Sequence, residues 1–186
     1  AGGECEQNLM AKLIQLETGI FVAAQLAEAD FAEVAARGFR SVVNNRPDGE
    51  APDQLPNDRA KAAALRQGLQ YRYQPVENLN VTDDDVVNAQ ARLMNDLPGP
   101  ILFYCRSGTR CTILWAQIAT LRLGVAKTLE IVSKAGYDLE IIREQLTERS
   151  NLNVAVLRKT AASKGAVLDH MIAPIKRVAA AKTAGG

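Results

Sequence analysis

The residues best suited to chemistry lie in one short stretch, Cys105-Arg106-Ser107-Gly108-Thr109-Arg110. The apolar run from Ile101 to Tyr104 precedes it, and a helix-like segment follows from about Cys111. At such a strand-to-helix turn, successive backbone N–H groups can converge on one point, and the following helix directs its positive end at the same point. The stretch therefore predicts a cradle for an anion or for a negatively charged sulfur atom.

Different residue types in this loop suit different tasks. Gly108 lets the backbone bend where a Cβ would interfere, and Arg110 presents a fork of donors that suits an oxyanion. Cys105 would lie at the centre, and such surroundings lower a thiol pKa from about 8.5 to roughly 3.5–7.5. We predict that Cys105 and Arg110 are catalytic. The predicted substrate-binding residues of the loop are Arg106, Ser107, Gly108 and Thr109.

The chain contains one histidine, His170, which is distant from the loop in the sequence. A Ser-His-Asp triad or a Cys-His pair would need a histidine near the nucleophile, so a nucleophile here would act without an imidazole. Zinc sites with several His ligands are excluded, and no CxxC pair is present. We expect neither a metal nor a cofactor.

Composition limits the partners and the compartment. The 186 residues carry a net charge of +1, so nothing indicates bulk attraction to nucleic acid or to a membrane. No apolar run approaches the roughly 20 residues that span a bilayer. Three cysteines are too few for a disulfide framework, which favours a reducing, cytoplasmic setting. The expected partner is a small anionic substrate such as thiosulfate, a persulfide or a phosphate ester.

Short apolar runs alternate with segments of helical period along the chain. This alternation predicts an α/β fold with a mainly parallel sheet flanked by helices, with its site beyond the carboxyl ends of the strands. The predicted strands are 19–26, 40–45, 69–76 and 100–104, and the predicted helices are 28–38, 58–68, 82–97, 111–124, 126–136 and 138–150.

Three regions differ in composition. Residues 1–11 are predicted to be a loose leader, and residues 12–150 a single catalytic domain. Residues 151–186 contain six Lys/Arg and one acidic residue, Asp169, which gives +5 without His170. This last region is interpreted as a basic tail or linker with a possible helix, or as a docking helix for a partner chain or fused domain.

The loop resembles two known families. "YCRSGTR" is similar to the active loop of single-domain rhodaneses, the sulfurtransferases that carry a persulfide on the loop cysteine. It is also similar to the Cys-x5-Arg loop of cysteine phosphatases. Four residues separate Cys105 from Arg110, which is the rhodanese loop length, whereas phosphatases have five.

A wider resemblance covers about residues 12–148. "IFVAAQL", "GFRSVVNNRPDGEAPDQ", "PVENLNVT", "FYCRSGTRC" and "AGYDLE" together resemble the phosphatase-like domain of beta-lactamase-hydrolase-like proteins. This resemblance implies a dual-specificity-phosphatase-like fold. The family's activity is labelled phosphatase or sulfurtransferase. Some members are fused to sulfur-oxidation modules, so a fused or neighbouring sulfur-oxidation enzyme is a possible partner.

Three functions stay open, and the first is favoured. It is a cysteine-dependent sulfurtransferase that forms a persulfide on Cys105 from thiosulfate or a small persulfide. The second is a cysteine-dependent phosphatase with a phosphocysteine intermediate, and the third is a non-catalytic module that binds an anion or a partner. The short loop favours sulfur, and so does the absence of an aspartate from residues 71–80, where only Glu77 is acidic.

The roles of several flanking residues stay open. Arg46 is a candidate substrate contact, although its loop also has the composition of a plain turn. Cys111 is either a small buried residue at the helix start or a redox partner of Cys105, and Thr112 could supply a hydroxyl in its place. Thr82 is predicted to cap a helix whose first turn carries Asp83, Asp84 and Asp85.

Overall fold

A computed structural model describes residues 11–156, 158, 159 and 162 of the chain. Its strands and helices alternate along most of that length. A 3₁₀ turn, Glu140–Ile142, precedes the last helical segment. The strands are β1 (Ile14–Glu17), β2 (Ile20–Ala23), β3 (Ser41–Asn44), β4 (Gln70–Tyr73) and β5 (Ile101–Tyr104). The helices are α1 (Asp30–Ala36), α2 (Asn57–Arg66), α3 (Asp84–Asp96), α4 (Thr109–Leu123), α5 (Val125–Lys134) and α6 (143–156).

The strands form one sheet with the order β1-β2-β5-β3-β4. The pairs β2–β5, β5–β3 and β3–β4 are parallel, and β1 pairs antiparallel with β2 at one edge. All four residues of the central strand β5 are buried, as a strand covered on both faces requires. The prediction of a mainly parallel sheet is confirmed. The hairpin partner β1 was not predicted.

Alternate residues of β5 belong to opposite cores. Ile101 and Phe103 pack with residues of α4 and α5, whereas Leu102 and Tyr104 pack with residues of α1 and α2. Successive side chains of a strand point to opposite faces, so each layer of helices receives two of the four side chains. The predicted flanking of the sheet by helices is confirmed, and the strand that leads into the cysteine loop is held from both sides.

Most helix boundaries differ from the prediction by a few residues, and three of the differences are of particular interest. Helix α4 begins at Thr109 instead of about Cys111, so Arg110 lies within its first turn. Helix α3 has Asp83 at its N-cap instead of Thr82, and no side chain caps it. Helix α6 continues past the predicted boundary at residue 150. Residues 1–10 of the predicted leader and most of the predicted basic tail lie outside the described residues.

Within the described residues, no helix combines the length and the apolar character needed to cross a membrane.

Candidate active site

The loops that follow the parallel strands meet at one edge of the sheet. The N–H of Asn45 donates to the carbonyl of Tyr104 at 2.9 Å, and the N–H of Gln25 donates to the carbonyl of Arg106 at 3.3 Å. The N–H of Val76 in turn donates to the carbonyl of Asn45 at 2.9 Å. These bonds connect the segments after β2, β3 and β4 to the segment after β5. The cysteine loop is therefore surrounded by backbone from three other strand ends.

The loop folds around the sulfur of Cys105. This residue follows β5 directly and is only 1% exposed. The backbone N–H of Gly108 donates to Cys105 Sγ over 3.2 Å. Gly108 has a φ of +86°, a conformation that side-chain-bearing residues rarely adopt, and this turn brings its N–H back toward the sulfur. Helix α4 then begins at Thr109, so the positive end of the helix lies beside the thiol.

These donors hold the pKa of the Cys105 thiol at about 5, well below its ordinary range. The largest cause is the hydrogen bond from the Cys111 side chain. The backbone N–H groups of Cys111 and Ser107 and the charge of Arg110 also lower this pKa, against the opposing effect of burial. Cys105 is therefore a thiolate at neutral pH, which is the nucleophilic form of cysteine.

The neighbouring thiol of Cys111 has the opposite character. Burial raises its pKa well above the ordinary value, and the adjacent negative charge of Cys105 raises it further. Its Sγ donates a hydrogen bond to Asn45 Oδ1 at 3.4 Å. The hydroxyl of Thr112 donates instead to the carbonyl of Gly108 at 2.8 Å. Cys111, and not Thr112, is thus the side-chain donor to the thiolate.

The guanidinium of Arg110 is held in place by two other loops. It donates from Nη1 and Nη2 to the two carboxylate oxygens of Glu50 at 2.6 and 2.8 Å, and from Nη1 to the carbonyl of Val76 at 2.8 Å. Arg46 donates from Nε to the same carboxylate at 2.8 Å. The bond from Arg110, followed by that from Arg46, holds the pKa of Glu50 at about 2, so the carboxylate stays ionised.

Arg46 is buried at 4% exposure and is bound on several sides. Besides Glu50, its guanidinium donates to Gln25 Oε1 at 3.0 Å, and its backbone N–H donates to Asn44 Oδ1 at 2.9 Å. The structure therefore connects Arg46 to Arg110 through one shared carboxylate. Direct contact between Arg46 and a substrate remains a prediction.

Tyr137 supports the loop from the segment after α5. Its hydroxyl donates to the carbonyl of Ser107 at 3.3 Å, and burial raises its pKa above the ordinary value. A Cβ on Gly108 would overlap the Tyr137 hydroxyl oxygen and would lie 3.3 Å from the carbonyl of Ala23. Gly108 is thus required both by its backbone angle and by the proximity of two other segments.

One cleft borders the loop, and a second cleft, which shares Asn78 with it, lies between the segments after β3 and β4. One has a volume of about 330 Å³ and is lined by Asn78, Val81, Arg106, Ser107, Thr109, Arg110 and Ile113. The other has a volume of about 370 Å³ and is lined by Pro47, Asp48, Gly49, Glu50, Glu77, Asn78 and Leu79. Arg106 and Ser107 are exposed here, whereas Cys105 and Arg110 are buried.

Within residues 11–156 and the three further described positions, no group of three or more His, Cys, Asp or Glu side chains could hold a metal ion.

The structure brings together Cys105, Arg110, Cys111 and, through a carboxylate, Arg46, all of which the sequence singled out. Sequence reasoning missed Glu50 and Tyr137 as parts of the site. Glu50 lies four residues after Arg46 in the "NNRPDGE" motif, and Tyr137 lies in the "AGYDLE" motif. These two motifs could have drawn attention to Glu50 and Tyr137, but the motifs alone do not show that either residue contacts the cysteine loop.

Comparison with known proteins identifies the family to which most of the described residues match. Residues 13–121 match the family described as the phosphatase-like domain of beta-lactamase hydrolase-like protein. A beta-lactamase hydrolase-like protein of Xylella fastidiosa (strain Temecula1) is 38% identical over 105 residues. That match covers 56% of this chain and 24% of the relative, so it spans about a quarter of the curated protein's length.

Solved structures with a similar fold include a phosphatase and a protein described as a candidate phosphatase. A candidate phosphatase from Neisseria meningitidis superposes with a TM-score of 0.68 at 28% identity, covering 73% of this chain and 96% of that one. Kinase-associated phosphatase, with its catalytic-site cysteine replaced by serine, superposes with a TM-score of 0.61 at 14% identity. That match covers 81% of this chain and 98% of the phosphatase chain. At that low identity the second match shows the fold alone.

These matches contradict the prediction of a sulfurtransferase that forms a persulfide on Cys105. They support the alternative, a phosphatase, because both the family and the neighbouring folds belong to phosphatase-like proteins. The physical reason for the error is that a loop one residue shorter was taken to determine the reaction. The expectation of a sulfur-oxidation partner depended on that reaction, and the comparisons give it no support.

Proposed function

Because this chain belongs to the family of the phosphatase-like domain of beta-lactamase hydrolase-like proteins, we propose that it is a cysteine-dependent phosphatase that hydrolyses small phosphate monoesters. The observation that carries the proposal is the Cys105 thiolate, with a pKa of about 5, enclosed by backbone N–H donors and beside the guanidinium of Arg110. A nucleophile and an oxyanion cradle in one loop are the two requirements of phosphoryl transfer through a covalent intermediate.

In the first step the thiolate of Cys105 attacks the phosphorus atom of the ester. The S–P bond forms as the P–O bond to the alcohol breaks, and a phosphocysteine results. The backbone N–H groups of residues 106–110 and the fork of Arg110 bind the phosphoryl oxygens, on which negative charge is spread in the transition state. Arg106, Ser107 and Thr109 border the opening through which the ester enters.

In the second step a water molecule attacks the phosphocysteine. The S–P bond breaks, inorganic phosphate forms, and the electron pair returns to the Cys105 sulfur. The donors that hold the pKa of this thiol at about 5 also make the thiolate a good leaving group. The thiol of Cys111 contributes to both steps because it donates to the sulfur whenever the sulfur carries negative charge.

Glu50 and Arg46 position the cradle. Glu50 holds both terminal nitrogens of Arg110, so the guanidinium plane is fixed before a substrate arrives. Arg46 donates to the same carboxylate and fixes its orientation. A fixed guanidinium needs little reorganisation to bind the phosphoryl group, which favours the transition state.

The test is turnover of aryl phosphates by the wild type and by Cys105→Ser, with product phosphate measured against substrate concentration. We expect saturable hydrolysis by the wild type and a loss of at least about 1,000-fold in Cys105→Ser, since removing the nucleophile removes the covalent path. Rapid acid quenching should trap phosphate on Cys105. Equal slow hydrolysis by both proteins would reject the proposal.

Arg110→Lys serves as the second variant. It keeps the positive charge and loses the two-pronged geometry, so kcat should fall by about 100-fold even though an anion still binds. Unchanged kcat in Arg110→Lys would contradict the role given to the fork. Far-UV circular dichroism of each variant checks that the fold is retained.

A further inference from the structure

Three amide side chains form a cluster beside the cysteine pair: Asn45 after β3, Gln74 after β4 and Gln90 of α3. Asn45 is fully buried, and Gln90 is 1% exposed. Asn45 Nδ2 donates to Gln90 Oε1 at 3.0 Å, and Gln90 Nε2 donates back to Asn45 Oδ1 at 3.1 Å. Gln74 Nε2 donates to the same oxygen of Gln90 at 3.2 Å. This amide cluster joins α3 to the ends of two neighbouring strands.

The main chain fixes the direction in which the Asn45 amide faces. Asn45 Nδ2 also donates to the carbonyl of Gln74 at 3.0 Å, and a carbonyl oxygen can only accept a hydrogen bond. Nδ2 must therefore face Gln74, which leaves Oδ1 on the side of Cys111. The backbone of Asn45 is held as well, by the carbonyl of Tyr104 and the N–H of Val76, each at 2.9 Å. Asn45 Oδ1 is thus a fixed acceptor beside the cysteine pair.

Cys111 has one S–H proton and two acceptors for it. One acceptor is Asn45 Oδ1, which lies 3.4 Å from Cys111 Sγ. The other is the sulfur of Cys105, to which the Cys111 side chain is the hydrogen-bond donor. Both cysteines are 1% exposed, so the proton has little access to solvent. A stronger bond to Asn45 therefore means a weaker bond to Cys105.

Gln90 determines how strongly Asn45 attracts this proton. Asn45 Oδ1 has two lone pairs, and Gln90 Nε2 donates to one of them. Without that donor the oxygen would depend on Cys111 alone, and a buried acceptor that lacks a partner is costly. Gln90 therefore leaves the proton of Cys111 available to Cys105.

We propose that Asn45 is a positioning residue that competes with Cys105 for the proton of Cys111, and that Gln90 weakens this competition. Asn45 thus acts on Cys105 through Cys111. The balance matters because the intrinsic nucleophilicity of a thiolate falls as the pKa of its thiol falls, so a thiolate that is stabilised too strongly attacks slowly. A thiolate that is stabilised too weakly is protonated and does not attack.

Within the phosphatase function proposed above, on which this step rests, the proton has an acceptor at each stage of turnover. When Cys105 is a thiolate, it attracts the Cys111 proton, since a hydrogen bond to a charged acceptor is roughly twice as strong as a neutral one. When a phosphoryl group is bonded to Cys105, the sulfur is uncharged and the proton turns to Asn45. The proton turns back as the S–P bond breaks and the electron pair returns to Cys105.

Other titratable groups also face the two sulfurs: Arg110 of α4, Tyr137 after α5 and Tyr104 of β5. Each has a hydrogen-bond partner outside the amide cluster, namely Glu50, Ser107 and Tyr71 respectively. Substitutions within the amide cluster leave these partners in place. A change in the reactivity of Cys105 therefore reports the cluster itself.

The test measures alkylation of Cys105 by iodoacetamide against pH, followed by peptide mass spectrometry. In the wild type the rate should be half-maximal near pH 5. Asn45→Leu removes the competing acceptor at similar volume, so its midpoint should fall by about half a pH unit. Gln90→Met leaves Asn45 dependent on Cys111, so its midpoint should rise by about half a pH unit. A loss of packing alone would not shift the two midpoints in opposite directions.

The Cys111→Ala background shows whether the effect passes through Cys111. There, Asn45→Leu and Gln90→Met should leave the midpoint unchanged, because the proton for which the two acceptors compete is absent. Gln117→Met is the matched control, since Gln117 is a buried amide of α4 whose Nε2 donates to the carbonyls of Val81 and Ile113. Its midpoint should equal that of the wild type.

Three results would overturn the assignment: shifts in the same direction in Asn45→Leu and Gln90→Met, shifts that persist without Cys111, or no shift in either variant. Far-UV circular dichroism checks that each variant is folded. If Asn45→Leu does not fold, Gln90→Met with and without Cys111 decides. Alkylation needs no phosphate ester, so a failure of the phosphatase function would show only in the turnover of aryl phosphates and is distinguished from a failure of this inference.

Discussion

Two cysteines six positions apart have opposite protonation in this site. Cys105 is held as a thiolate with a pKa of about 5, whereas burial keeps Cys111 a thiol. Cys111 donates to Asn45 Oδ1 at 3.4 Å, and its proton also faces the Cys105 sulfur, whose pKa it lowers. A charge-assisted bond of this kind is roughly twice as strong as a neutral one. We therefore expect Cys111 to act as part of the cradle, in addition to its place as a small buried residue at the start of α4.

The first prediction concerns the pKa of Cys105. Alkylation by iodoacetamide needs the thiolate, so in the wild type its rate should be half-maximal near pH 5 and should fall as the pH drops below that value. Cys111→Ala removes the largest stabilising donor and should raise the midpoint by about one pH unit or more. Peptide mass spectrometry follows Cys105, with Cys5 replaced by serine in both proteins. An unchanged midpoint in Cys111→Ala would remove Cys111 from the cradle.

The second prediction concerns oxidation. We propose that a peroxide converts the Cys105 thiolate to a sulfenic acid, and that the Cys111 sulfur then displaces water to form a Cys105–Cys111 disulfide. Mild peroxide should inactivate the wild type, and a dithiol should restore its activity. In Cys111→Ser the same treatment should lead to irreversible oxidation of Cys105. Peptide mapping that finds no linkage between these cysteines would reject the proposal.

At the scale of elements, the junction between β5 and α4 depends on a contact with the segment after α5. Gly108 has a φ of +86° and has no room for a Cβ, because the Tyr137 hydroxyl and the carbonyl of Ala23 lie against it. Helix α4 can begin only where this turn ends. The position of the helix N-terminus, and of Arg110 within it, is thus fixed by packing as well as by the local sequence.

The third prediction separates these two requirements. Gly108→Ala should lower the free energy of unfolding by about 3 kcal/mol, since it adds overlap to the cost of about 1–2 kcal/mol for a left-handed non-glycine residue. Gly136→Ala is the matched control, because Gly136 has a φ of +93° and a Cβ added there would meet no atom within 4 Å. The free energy of unfolding of Gly136→Ala should therefore fall only by the cost of the left-handed backbone, about 1–2 kcal/mol. Urea unfolding measures the stability of both variants. Equal losses of stability would contradict the claim that Tyr137 and Ala23 leave too little room for a Cβ at position 108.

The elements themselves were largely predictable. The apolar runs before Asn45, Gln74 and Cys105 are strands, and the helical patterns between them are helices, because each pattern matches the period of its element. Strand β1 was missed since its four residues form an edge hairpin with only Leu16 buried. The start of α4 was placed too late because the turn at Gly108 is completed by Tyr137, which is distant in the sequence.

At the scale of the whole molecule, Glu50 connects loops that follow two strands to the first turn of α4. It lies after β3, binds Arg110 of α4, and through Arg110 is connected to Val76 after β4. Arg46 and Arg110 are both nearly inaccessible to solvent. Glu50 is the carboxylate that both charges share, and Arg110 also faces the Cys105 thiolate, so we expect Glu50 to contribute to the stability of the fold.

The fourth prediction follows from this dependence. Glu50→Gln should lower the free energy of unfolding by about 3 kcal/mol near neutral pH, because two buried guanidinium groups lose their counter-charge. The pKa of Glu50 falls from 4.5 to about 2 on folding, so its contribution is complete above pH 4.5 and is lost as the pH falls through 2. The stabilities of the two proteins should therefore converge in acid.

Glu28→Gln is the control for this change, since Glu28 also bridges two arginines, Arg59 and Arg66, but at the surface. Urea unfolding at pH 6 and pH 3 should show little difference between Glu28→Gln and the wild type at either pH. A gap between the wild type and Glu50→Gln that stays constant from pH 6 to pH 3 and below would contradict the assigned role of the carboxylate.

The reaction class was the part that local sequence could not decide. The spacing between Cys105 and Arg110 is a property of six residues, whereas the family is defined by residues spread over 13–121. Glu50 and Tyr137 contact the loop across 60 and 30 positions of the chain, and no local pattern encodes such contacts. The nucleophile was predictable because its donors are its own neighbours in the sequence.

The central place of β5 has a consequence for the order in which the protein folds. Val22 of β2 pairs with Phe103 of β5, which lies 81 residues later in the chain, and Val43 of β3 pairs with the same residue. Such distant parallel pairings close large loops and form slowly, so insertion of β5 between its neighbours is expected to be a late event. The thiolate pocket cannot exist before that insertion. Recovery of Cys105 reactivity after dilution from denaturant would therefore report completion of the whole sheet.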